Sequence, residues 1–212
     1  MDLGDRIGLV VATAIFTLLG NILFKFFQNR TDFMVSIKQF KRDHYYNQLN
    51  KLYMELYAIV CQSEFLRKFH HIDEMNSMKE VPFVEIKRKI EKIQLNLVTG
   101  EEELTGEDVE TAITRFNKEN IISLIMDNKQ YASQELLKLA VGYRYCYEYY
   151  TNNNLVEPEL ETFQKTELDY IYKIVTRIVM ETNEKLKFCK MDFSDAERKT
   201  GKLDNQIYVV DN

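Results

Sequence analysis

A run of 18 residues without a charge, Ile7–Phe24 (IGLVVATAIFTLLGNILF), constrains this chain more than any other feature. As a helix it would extend ~27 Å, close to the thickness of a bilayer's hydrocarbon core. A core helix of a globular domain shows a polar face over such a length, and this run does not. Phe26 and Phe27 extend it into the interface, and Lys25 can snorkel to the headgroups. A cleaved signal peptide fits less well. The preceding MDLGDR carries two acids against one base, and KFFQNRTDF follows with no small-residue cleavage site. The expectation is therefore a retained transmembrane helix. Lys25, Arg30, Lys38, Lys41 and Arg42 follow the run and only Arg6 precedes it. The positive-inside rule then places the amino terminus outside and the remaining chain in the cytoplasm.

The run carries one polar stripe. Thr13, Thr17 and Asn21 recur every four residues, on one helix face. Three readings stay open for it: a contact between spans, a pore lining, or threonines bonding back to their own helix.

After the anchor, low glycine and proline (7 and 2 residues) favour long helices. Leu49, Leu52, Leu56 and Val60 follow one stripe, with Tyr45, Tyr53 and Tyr57 beside it, predicting a helix over 33–69. Residues 70–81 read as a loop. Pro82 suits a helix start, and Phe83, Ile86, Ile90, Ile93 and Leu97 form a short heptad-like seam. Thr105–Asp108 resembles a capping box ahead of a helix over 107–126. A further helix is expected over 130–150. Pro158 opens the last long one, with Phe163, Leu168, Ile171, Val175, Ile178, Val179 and Leu186 on its buried stripe. The fold class expected is all-α: a single amino-terminal transmembrane helix, then a cytoplasmic bundle of about five helices. The chain divides into an anchor with its flank (1–30), a helical domain (31–190) and a charged, loosely ordered tail (191–212).

Signals of enzymatic chemistry are sparse. The histidines, His44, His70 and His71, lack metal-ligand spacing, and no nucleophile-elbow, P-loop or dinucleotide-binding pattern occurs. No catalytic residue, metal or cofactor is assigned. Cys61, Cys146 and Cys189 fit neither a disulfide framework nor a zinc site and read as buried thiols. The net charge of −5 excludes a general polybasic surface, so any anionic ligand would need a local cluster. Two candidates exist. Gly142–Tyr150 sets Tyr143, Tyr145, Tyr147, Tyr149 and Tyr150 around Arg144. Such residues serve core and subunit interfaces, or hold bases and phosphates. Lys87, Arg88, Lys89 and Lys92 form a second cluster, which Arg115 and Lys118 can join. As ligand-binding candidates this selects Arg88, Lys92, Arg115, Lys118, Arg144 and Tyr147.

The layout of one amino-terminal span, an all-helical body and modest length resembles the membrane effectors of Hailong-type bacterial anti-phage defence. The resemblance covers the whole chain as a plan and carries over no binding residue. It implies a homo-oligomer, a tetrameric channel in the bacterial inner membrane, gated by an oligodeoxyadenylate or related nucleotide signal from a nucleotidyltransferase partner. Opening would disrupt the membrane. The alternative is a membrane-tethered adaptor that recruits a soluble partner.

Overall fold

The computed structural model describes residues 3–72, 81–95, 102–152 and 156–208, giving the backbone alone at 3, 5–7, 9–12, 89–95, 102–108, 150 and 152. The chain separates into two compact units, Met1–His44 and Tyr45–Asn212.

The first unit is one helix. It belongs to α1, Leu3–Gln48, whose 46 residues would reach ~69 Å at 1.5 Å per residue. Every described side chain from Thr13 to His44 is exposed. The expected membrane anchor is corrected here. Among the described residues, no helix is long and apolar enough to cross a membrane. Of the anticipated span, the side chains of Ile7 and residues 9–12 lie outside the description. In the remainder Asn21 is polar, and past Phe24 the described helix continues through Lys25, Gln28, Asn29 and Arg30. The single-pass topology, the outside amino terminus and the inner-membrane location rested on that span and are withdrawn with it. The stripe has a local explanation at one position: the Thr17 hydroxyl donates to the Thr13 carbonyl at 2.8 Å, a bond within the helix. Asn21 is exposed.

The second unit is mainly helical. A π turn, Leu49–Tyr53, leads without a break into α2, Met54–Phe69. The anticipated stripe is buried here: Leu49, Leu52, Leu56 and Val60, with Tyr53 and Ile59, each have at most 1% of their surface exposed. Two strands follow, β1 (Lys89–Leu95) and β2 (Glu102–Asp108), paired antiparallel with Lys89 opposite Asp108 and Leu95 opposite Glu102. The helix expected from Phe83 onward is thus corrected to an irregular segment and a hairpin. The apolar spacing by three and four favours a helix, and the pairing of Lys89–Leu95 with Glu102–Asp108 overrides it. The proposed capping box at Thr105–Asp108 lies in β2.

The next helix starts later than expected, as α3, Lys118–Asp127. Its cap is Asn117, whose side-chain oxygen accepts from the Asn120 N–H at 2.7 Å. Helix α4, Gln134–Asn152, is opened by Ser133, whose hydroxyl accepts from the Leu136 N–H at 3.1 Å. Helix α5, Glu159–Cys189, runs through the centre and touches α2, α4 and the short α6, Asp195–Thr200. It ends at Lys190 in the left-handed conformation, where the Met191 N–H reaches the Leu186 carbonyl at 2.9 Å. Ile121 and Ile125 of α3, Leu136 and Ala140 of α4, and Ile171, Ile174 and Ile178 of α5 close the core with no exposed surface. Burying each of the larger ones fully is worth about 1.5–3 kcal/mol. Leu168, assigned to the buried stripe of α5, is 47% exposed. Over its described residues the segment after α5 is docked, with Glu197 of α6 buried and Tyr208 meeting Phe65 edge to face at 5.7 Å.

Candidate ligand site

A cavity of about 230 Å³ lies where the segment before β1, the turn after β2, and helices α3 and α4 meet. Phe83, buried, pins the first segment. The Arg67 guanidinium donates to the Val81 carbonyl at 2.6 Å, and the Val84 N–H donates to the Ser63 hydroxyl at 2.7 Å. This holds Glu85 at the start of α3, where its carboxylate accepts from the Lys118 N–H at 3.0 Å. A carboxylate there suits the helix dipole and satisfies one of the first-turn donors. Opposite the strands, Thr114 ties its turn to the Val109 carbonyl at 2.9 Å. Tyr143 and Tyr147 form the α4 wall, with near-parallel rings 6.1 Å apart.

Charge in the lining is mixed. Glu85, Glu110 and Glu119 face Lys87, Arg88 and Lys118 around the same space. The Lys118 ammonium sits 3.4 Å from the buried carboxylate of Glu167, which also accepts from the Tyr143 hydroxyl at 2.9 Å. The Tyr147 hydroxyl donates to Glu119 at 2.7 Å. That bond, with burial, pushes the Tyr147 phenol up to about 12.

Two further buried glutamates repeat the tyrosine contact. Glu181 accepts from the Tyr53 hydroxyl at 2.6 Å and from the Ser133 hydroxyl at 2.8 Å, with the Lys185 ammonium at 3.3 Å. Glu197 accepts from the Tyr57 hydroxyl at 2.7 Å and the Asn183 amide at 2.8 Å. In all three pairs a buried carboxylate on α5 or α6 is satisfied by a tyrosine from α2, its π turn or α4. These pairs are cross-braces. Burial first, then the facing carboxylate, raises the Tyr53 and Tyr57 phenols well above the ordinary value of 10.0. Burial, with Cys61 beside it, pushes Tyr208 up to about 12. The unfolded chain ionises its tyrosines near 10.0, before the folded chain does. The stabilising contribution of these phenols is complete below about pH 10 and is lost as pH rises through their folded values. Phenolate absorbance should therefore show a late-titrating group in the native protein, coincident with falling thermal stability. Titration of every tyrosine near its ordinary value, with the fold intact, would contradict this.

Of the candidates chosen from sequence, the fold brings Arg88, Lys118 and Tyr147 to this one cavity. Lys92 lies on β1, where side chains fall outside the description. Arg115 is exposed and donates to Glu110 at 2.8 Å, and Arg144 is exposed with Glu148 at 4.0 Å. The side chain of Tyr150 lies outside the description, and the other four tyrosines of the run divide between two groupings. Tyr143 and Tyr147 reach the core and cavity, whereas Tyr145 stacks on Tyr149, which stacks on Phe163 of α5 at 4.8 Å. Sequence reasoning missed Glu119 and the three buried glutamates. Among frequent carboxylates, only proximity to tyrosines in the fold distinguishes them. Cys61, Cys146 and Cys189 are free thiols, and burial pushes Cys61 up to about 11. Among the described residues, no group of His, Cys, Asp or Glu is arranged to hold a metal ion. The chain matches no known family model, characterised protein or solved structure.

Proposed function

We propose that this chain is a self-assembling, non-enzymatic effector or adaptor, joined into a homo-oligomer through α1, with the helical body receiving a ligand or partner. The pore reading required a membrane span and is not retained. The observation that carries the proposal is the apolar surface of α1. Leu19, Phe26, Phe33 and Phe40 recur one heptad apart and are 52%, 63%, 64% and 73% exposed in the single chain. Ile15 and Ile22 supply the companion seam position in the first two heptads, and Asn29, Ser36 and Asp43 occupy it further along. An apolar residue kept at one seam position over four heptads, with its companion apolar in the first two, favours a helix that winds around copies of itself. A helix left bare in water with this composition gains by covering it.

Phe26→Glu combined with Phe33→Glu should convert the oligomer to monomer by sedimentation while leaving the unfolding of the second unit unchanged. Retention of the wild-type mass by this variant would remove the basis of the proposal.

A further inference from the structure

The cavity described above makes a prediction about ligand chemistry that goes beyond assembly through α1 and does not depend on it. Most of its polar groups are already committed. Glu85 serves the α3 start and has Lys87 at 3.5 Å, Glu110 holds Arg115, and Lys118 holds Glu167. The Asn117 side chain is used at both ends, by the Asn120 N–H and the Thr114 carbonyl. Two charges of opposite sign retain capacity. The Arg88 guanidinium is exposed and pairs with no described residue. Glu119 is exposed, and among the described residues its carboxylate accepts only from the neutral Tyr147 hydroxyl.

We propose that this cavity binds a small zwitterion, its anionic group on Arg88 and its ammonium on Glu119. A ligand of one sign would satisfy one of these groups and be repelled by the other, whereas a zwitterion satisfies both. Guanidinium forms two parallel bonds to a carboxylate or phosphate, so either anionic group suits Arg88. Ile86, Val109 and the tyrosine rings offer apolar wall to a short carbon skeleton. Size narrows the class further. At about 230 Å³ the cavity falls below the ~300–1,000 Å³ typical of sites for drug-sized ligands, so it suits a metabolite of amino-acid size. An enclosed oligonucleotide is too large.

Calorimetric titration of the full-length chain tests this. The probes are γ-aminobutyrate and phosphoethanolamine, with butylamine, butyrate and inorganic phosphate as single-charge controls. At least one zwitterion should bind saturably, about tenfold or more tighter than every control. Arg88→Gln and Glu119→Gln should each weaken it about tenfold or more without altering thermal unfolding of the free protein. The proposal is overturned if neither zwitterion binds, if a control binds equally well, or if either substitution leaves binding intact. Binding of phosphate alone at Arg88 would show an anion site instead and also overturn it.

Discussion

Glu181→Ala is expected to destabilise the second unit by about 3–5 kcal/mol, the cost of breaking a buried ion pair from one side. The Glu181 carboxylate is shared by the Tyr53 hydroxyl, the Ser133 hydroxyl and the Lys185 ammonium, at 2.6, 2.8 and 3.3 Å. Lys185 is only 6% exposed, and its ammonium also lies over the Tyr53 ring, 3.9 Å from the centroid. Removing the carboxylate leaves that ammonium without its ion-pair partner and the Tyr53 hydroxyl without its acceptor. Burial already lowers the Lys185 pKa against the opposing pull of Glu181. Without Glu181 the folded value falls further. The unfolded chain then holds a proton that the folded chain lacks, so the variant's stability rises with pH between the lowered value and the ordinary one. Glu181→Leu with Lys185→Met should recover most of the loss, because removing both charges removes the desolvation penalty as well. Denaturant unfolding measures all three. A loss below about 1 kcal/mol for Glu181→Ala would mean the pair contributes no more than a surface one.

Gly201→Ala is expected to cost about 2–5 kcal/mol by the same measurement, from two sources. Gly201 has φ +66°, and a left-handed residue with a Cβ costs about 1–2 kcal/mol. The added carbon would also stand 2.3 Å from Thr176 Cγ2 and 3.0 Å from the Thr176 carbonyl oxygen on α5, an overpacking worth about 1–3 kcal/mol. The position matters because Gly201 ends α6, its N–H donating to the Glu197 carbonyl at 2.8 Å, and Glu197 braces Tyr57 and Asn183. Lys190→Gly is the control. Lys190 also has a positive φ, of 60°, so glycine there should be neutral or slightly stabilising. A Gly201→Ala protein as stable as the parent would show that α6 is not held against α5 in this way.

The helices that read most clearly in the sequence are those with a long buried stripe. Leu49 to Val60 and Ile171 to Val179 repeat at helical spacing over several turns, and both segments are helical. The start of α3 was hidden because two plausible caps compete, Thr105 and Asn117, and pairing of the strands consumes the first. The hairpin was hidden because Ile90 and Ile93, three residues apart, share a helix face and fall on opposite faces of a strand, so their spacing favours a helix. Apolar composition pointed toward a membrane at Ile7–Phe24, yet the same long helix continues beyond it with its phenylalanines at heptad spacing. A stripe only two or three turns long does not separate a lipid-facing surface from a helix-facing one. Half of the ligand-binding candidates, Arg88, Lys118 and Tyr147, converge because clusters distant in sequence share one corner of the fold. Glu167, Glu181 and Glu197 were illegible, since a buried glutamate and a solvated one look alike until the tyrosine opposite is known.

What covers α1 decides how this chain assembles. Analytical ultracentrifugation of the full chain, with parallel flotation on phospholipid vesicles, addresses that directly. A concentration-dependent closed oligomer that stays with the aqueous fraction, and that Phe26→Glu with Phe33→Glu dissolves, is the predicted result. A monomer in solution, or a chain that floats with vesicles through α1 without first assembling, would contradict the account.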